Sequence, residues 1–462
     1  MEKRERINKL TQTGIRAVLA AFIVVQLFLC ICMMIKQGDG FQLFEESVRY
    51  VNASYVFKVN GWELIGYPLF LSFIRRIFGV QYVAAVGLIQ LLVTGFTLFY
   101  FMKCTSTILY KKEPGRTDSL ILIGYILTNP FVFQFVVALL PDILSLDIFL
   151  ITLCMMLNII WGEKRFLQYY VIGTIGCVLL QGLMYRNYQW VSLIFLMGIS
   201  ITGLLLSERK DGYKRGLKFS LLAVGIILAA TVAFEVNHVT TDYSGHMKYS
   251  LIANLTERFV YPHIEEDYKN YPGLVKGSMS KDLFLSNADK MYHLKEELAP
   301  KIEQEYGKHM ATRIYFEMIK TGFLTRTKEI VVGFCEDLFY HFTQTFTAVK
   351  IIYRNHDSRY GYNISRIWDG TSSEAIRYFR FGAWAQLVVG VLSVLKLIWD
   401  KFLLCKKENI RGTMLVFFPT VLVTVLATLF APQGADYRTG LVFMLVLIIY
   451  IFSNGGKMTE KH

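Results

Sequence analysis

Asp39 lies in an acidic, aromatic stretch, GDGFQLFEESVRY (Gly38 to Tyr50), between the first apolar span and the segment GWELIGYPLFLSFIRRIFG (Gly61 to Gly79). A carboxylate held where lipid meets water can act on a substrate that is itself half lipid, so Asp39 is the first candidate for chemistry. A second acid, Asp142, opens a later apolar span just after NPFVFQFVVALLP (129–141), and Asp147 follows further inside it. Ionisable groups within a bilayer are costly and usually have a purpose. Arg186 and Arg438 stand at span ends on the side of Asp39. Each group also has a plain reading: Asp39 as a turn residue in GDG, Asp142 as a helix cap after Pro141, and the arginines as side chains snorkelling to headgroups.

These residues must be positioned by membrane helices. The chain has 462 residues, 54% of them hydrophobic, and a mean hydropathy of +0.40. Apolar runs of roughly 18 to 22 residues, the length that crosses about 30 Å of hydrocarbon, start near Ile15, Gln81, Ser119, Asp142, Phe166, Tyr188, Leu217, Phe379, Met414 and Thr439. The fold predicted is an all-α polytopic membrane protein with about ten transmembrane helices. If these alternate, every strongly basic connector falls on one side: the MEKRERINK start, Lys103 to Arg116, Gly162 to Arg165, Ser207 to Lys218 and Asp400 to Arg411. The positive-inside rule then puts both termini in the cytoplasm, and the composition points to a bacterial plasma membrane. The net charge of +13 is mostly this bias, which leaves a nucleic-acid partner unnecessary. The first span, with no small-residue cleavage site after it, reads as a retained signal anchor.

Three regions follow. Residues 1–234 form an N-terminal transmembrane module of about seven spans with a first outer loop at 36–80, residues 235–378 a mainly helical extracytoplasmic region, and residues 379–462 a C-terminal module of about three spans. In the first outer loop the stretch Leu64 to Phe78 is too short to cross and amphipathic enough to lie along the interface as a helix. Pro130 removes a backbone donor, so the third span should end or kink at Asn129, with 131–141 as a re-entrant or interfacial piece leading to Asp142. The sequence contains no P-loop, GxGxxG or GxSxG motif, and its seven cysteines have no zinc spacing.

The order of these features resembles the GT-C glycosyltransferases, polytopic enzymes that include protein O-mannosyltransferases and the bacterial lipid A aminoarabinose transferase. GDGFQLFEESV is similar to the family's first-loop acid, GYPLFLSFIRRIFG to its Tyr-Pro-rich helix without one of the tandem prolines, and NPFVFQFVVALLPDILSLD to its short third span followed by a second acid. DYRTGLVFML (Asp436 to Leu445) resembles the late Arg-Tyr segment with the order inverted, through Tyr437 and Arg438. The resemblance implies a sugar donor joined to polyprenyl phosphate, an extracytoplasmic acceptor such as a cell-wall polymer, glycolipid or protein, and inversion at the anomeric carbon.

On that resemblance Asp39 is the base for the acceptor hydroxyl, and Arg186 and Arg438 bind the phosphate through the planar guanidinium fork. Asp142 orients the acceptor or holds a divalent cation, the one cofactor the resemblance leaves open. Tyr67, Asn129 and His263 (in YPHIEEDY) are candidates to line the same cavity. The bland readings are an interface belt for Tyr67 and a surface histidine for His263. Competing functions are a polymerase or ligase of lipid-linked glycans, a flippase for them, and an outer scaffold without chemistry.

Overall fold

The computed structural model describes residues 2–37, 45–56, 65–111, 115–161, 164–184, 186–206, 211–237, most of 304–338, 373–402, 407–430 and four positions between 445 and 449. Among them there is helix and no strand. In chain order the helices are α1 (Glu2–Gln37), α2 (Glu45–Val56), α3 (Gly66–Phe78), α4 (Tyr82–Tyr110), α5 (Arg116–Thr128), α6 (Pro130–Val137), α7 (Asp142–Trp161), α8 (Leu167–Met184), α9 (Arg186–Leu206), α10 (Asp211–Asn237), α11 (Lys308–Thr325), α12 (Ser373–Phe402) and α13 (Lys407–Phe430). The chain divides into two compact units, 1–225 with 343–423 and 437–462, and 226–342 with 424–436. In the second unit α11 buries Met318 and Ile319 and is followed by a further helical stretch over 327–335.

Five stretches among the described residues are long and apolar enough to cross a membrane: Gln12–Ile35, Gly66–Tyr110, Asp142–Trp161, Leu167–Met184 and Glu374–Trp399. A sixth arises if α5 and α6, bent by 72° at a single residue, count as one broken span. Shorter apolar helices lie at Val191–Leu205 and Thr413–Leu426, two further places where the sequence predicts spans. The membrane character of the chain follows; about ten crossings remain an expectation.

Paired side chains give the helix directions in the first unit. Arg16 bonds Asp118 and Thr128 bonds Gln26, both 102 residues apart, so α1 and α5 run parallel and in step over ten residues, about 15 Å. The pairs Thr94–Asp147 and Asn158–Cys104 make α4 and α7 parallel as well. Gln181 bonds Thr152 while Gly173 lies against Met155, which makes α8 antiparallel to α7. Phe381 packs on Phe22, and Ala375 and Tyr378 cluster with Cys30 and Met33, which runs α12 against α1. One end of the unit therefore collects α3, the break at 129–141, the start of α7, the turn from α8 to α9 and the start of α12.

Two of these contacts leave room for no side chain. A Cβ on Gly382 would stand 2.2 Å from Pro130 Cγ, so α12 seats the proline ring of the break in a notch that only glycine supplies. A Cβ on Gly66 would come 2.8 Å from the Leu183 carbonyl oxygen, so α3 starts in direct contact with the end of α8.

The helix expected in the first outer loop is α3. It buries Tyr67, Leu71 and Ile74 against the bundle and is pinned to α2 by Arg75, whose guanidinium donates to the Ser54 hydroxyl (3.0 Å) and carbonyl (2.9 Å) and lies over the Tyr55 ring. Its other face is not polar: Ile65, Leu69, Phe73 and Ile77 form an exposed apolar ridge at i, i+4 spacing. That pattern suits a helix with protein on one side and lipid on the other.

The Arg16–Asp118 pair is bidentate, at 2.6 and 3.0 Å, with Asp118 almost fully buried. Asp118→Asn keeps the shape and removes the charge that the guanidinium answers. The expected result is a loss of about 2 kcal/mol, measured as thermal unfolding in detergent, with part of it recovered by Arg16→Asp combined with Asp118→Arg.

Candidate functional site

The site is built on the break between α5 and α7. Asn129 is extended and caps α6: its side-chain oxygen accepts from the Phe131 N–H at 3.0 Å, and Pro130 occupies the first helical position, where its missing donor costs nothing. The residue before a proline is also steered away from helical geometry, so one dipeptide both ends α5 and starts α6. Tyr378 of α12 donates to the Thr128 carbonyl at 2.7 Å, satisfying an acceptor left open by the end of α5.

The far end of α6 poses the same problem for carbonyls, since Ala138 turns extended. In lipid an open carbonyl costs several kcal/mol. Gln90, fully buried on α4, answers it: its amide donates to the carbonyls of Val136 (2.8 Å) and Ala138 (3.0 Å) and approaches that of Phe135 (3.5 Å). The amide oxygen of Gln90 accepts from the Tyr67 hydroxyl at 2.9 Å. Tyr67 is itself enclosed, with Tyr50 of α2 edge-on to its ring at 5.5 Å and Phe70 at 5.7 Å.

Asp142 is the first residue of α7. The Pro141 carbonyl receives both the Ser145 N–H (2.9 Å) and the Ser145 hydroxyl (2.7 Å), which fixes the start of the helix, and an acid in this turn faces the positive end of the helix dipole. Asp142 is only 7% exposed. Asp147 lies deeper, 1% exposed, with Oδ2 accepting from the Thr94 hydroxyl at 2.8 Å and Oδ1 without a hydrogen-bond partner among the described residues.

Of the residues singled out in the sequence, Tyr67 and Asp142 are linked through Gln90, whose amide oxygen accepts from Tyr67 and whose nitrogen holds the Ala138 carbonyl four positions before Asp142. Asn129 stands at the opposite end of α6, a helix of eight residues and about 12 Å. Its side-chain oxygen is committed to the α6 cap and to a long contact from Gln386 at 3.4 Å, so its visible work is to shape the break. Arg186 begins α9, three residues after Leu183, which touches Gly66 beside Tyr67; its side chain lies outside the described residues. Asp39, His263, Tyr437 and Arg438 lie outside them altogether, as does most of the expected outer region 235–378.

Gln90 was not legible as a site residue, because a lone glutamine inside an apolar span has no motif around it. Thr94 escaped for the same reason, and Tyr50, inside the acidic stretch of the first outer loop, was not singled out there. No group of three His, Cys, Asp or Glu side chains gathers to hold a metal ion among the described residues, so no step is derived through a cation. Comparison with family models, with curated proteins and with solved structures finds no match for this chain.

Proposed function

We propose that this chain is a membrane glycosyltransferase that moves a sugar from a polyprenyl-phosphate donor to an extracytoplasmic acceptor, inverting the anomeric carbon. The observation that carries the reading is a buried acid, Asp142, at the start of a membrane helix whose approach is tied by Gln90 to Tyr67 of an aromatic helix. This arrangement lies at one end of the bundle, and the basic connectors of the sequence assign that end to the outside. The exposed apolar ridge of α3 gives a lipid-linked donor a greasy approach to the same end.

In this reading Asp39 takes the proton of the acceptor hydroxyl as the hydroxyl oxygen attacks the anomeric carbon, and the sugar–phosphate bond breaks on the opposite face. The leaving phosphate gains negative charge, which Arg186 and Arg438 stabilise. Asp142 orients the acceptor. The test is incubation of the purified protein with a panel of radiolabelled polyprenyl-phosphate sugars and extracytoplasmic acceptors, wild type against Asp39→Asn. Transfer by wild type that Asp39→Asn lowers by about 10²–10⁴-fold is the expected result; consumption of no donor by wild type removes the proposal.

Asp147 favours a second reading, movement of a lipid-linked glycan across the membrane, because carriers place acids inside their spans. The two separate on Asp147→Asn. An enzyme with Asp39 as its base and Asp142 orienting the acceptor keeps transfer within about twofold, as the amide still accepts from Thr94. A carrier loses flipping of a fluorescent lipid-linked glycan in proteoliposomes.

A further inference from the structure

We infer that Gln90 is a positioning residue for Asp142, acting through the backbone that joins α6 to α7. Its chemistry rests on the sugar-transfer reading; its geometry does not. Gln90 is the described side chain that reaches the inner end of the broken span, holding the Val136 and Ala138 carbonyls at 2.8 and 3.0 Å. Only three residues separate Ala138 from Asp142, and the stretch 138–141 is not itself helical.

The orientation of the amide is fixed from both sides. Its nitrogen must face carbonyls, which only accept, and its oxygen must face the Tyr67 hydroxyl, which donates at 2.9 Å. Gln90 thus ties three elements into one register: α3 through Tyr67, α4 through its own backbone, and the approach to α7 through the two carbonyls. Glutamate replaces it poorly: ionised, it turns acceptor oxygens toward acceptor carbonyls, and protonated, it has one donor for the two carbonyls. Leucine fills the space and makes none of the bonds. Thr105, fully buried further along α4 with no hydrogen-bond partner for its hydroxyl among the described residues, is a comparable polar position away from the break.

The experiment has two arms. In the first, Asp142→Cys reports access to the start of α7 through its rate of reaction with a membrane-impermeant maleimide, read by peptide mass so that native thiols do not count. Adding Gln90→Leu is expected to raise that rate about tenfold or more, since two buried hydrogen bonds no longer oppose local opening. Adding Thr105→Val is expected to leave it unchanged. In the second arm, with Asp142 intact and a radiolabelled polyprenyl-phosphate sugar as donor, Gln90→Leu lowers kcat about 100-fold with KM within about threefold. Gln90→Glu behaves like leucine, and Gln90→His, which carries a donor and an acceptor, recovers part of the rate.

An unchanged labelling rate in Gln90→Leu overturns the inference, as does an equal rise in Thr105→Val. If wild type transfers no sugar, the enzyme reading fails, and the labelling arm alone decides the role of Gln90.

Discussion

Asp142→Asn is expected to leave the chain folded and, on the sugar-transfer proposal, to lower transfer by about 10²–10³-fold. The amide has the shape of the carboxylate, and the start of α7 is held by the Pro141 carbonyl and Ser145, neither of which the substitution touches. What disappears is one negative charge in a place sheltered from water, where a charge is felt most by its neighbours. The helix dipole loses a favourable partner at a cost of about 0.5 kcal/mol, so the melting temperature in detergent should move little. Turnover of a radiolabelled donor measures the effect. A variant that retains more than a third of wild-type turnover would make Asp142 a helix-start residue and nothing more.

The second large effect is expected from repairing the break. Asn129→Leu combined with Pro130→Leu removes the α6 cap, restores the missing N–H and lifts the restriction that proline places on residue 129. Helices α5 and α6 then have every local reason to fuse into one straight span. Val136 and Ala138 would leave Gln90, and the start of α7 would lose its link to Tyr67. Transfer should fall by about 100-fold or more while helix content by circular dichroism stays level or rises. Full activity in this double variant would mean that the 72° bend has no part in the function.

The break was readable because its cause is local: two adjacent residues forbid a continuous helix, whatever surrounds them. The outer-loop helix was readable for a similar reason, as a short apolar run with two arginines at its end. What covers these elements was not. Tyr378 reaches the Thr128 carbonyl across 250 residues, Gly382 seats Pro130, and Arg16 pairs with Asp118. None of these partners carries a mark in its own neighbourhood, since a tyrosine or a glycine in an apolar span has many uses. The amphipathic run of α3 predicts an interfacial helix but not which face packs: Tyr67, Leu71 and Ile74 are buried while Leu69, Phe73 and Ile77 stay exposed. For the site, the sequence offered the acid of α7 and the tyrosine of α3 but not the glutamine between them, because an amide's value lies in which carbonyls it meets.

The hydrogen bond from Tyr378 to Thr128 also bears on how the protein is made. Chain growth of about 5–20 residues per second means that the half-helix after Pro130 is synthesised roughly 10–50 s before the tyrosine and the glycine notch that complete it, 250 residues later. Throughout that interval the newborn bundle holds an open carbonyl and an uncovered proline ring within reach of the membrane. A chain cut before residue 373 would lack both the tyrosine that closes the end of α5 and the glycine that seats Pro130.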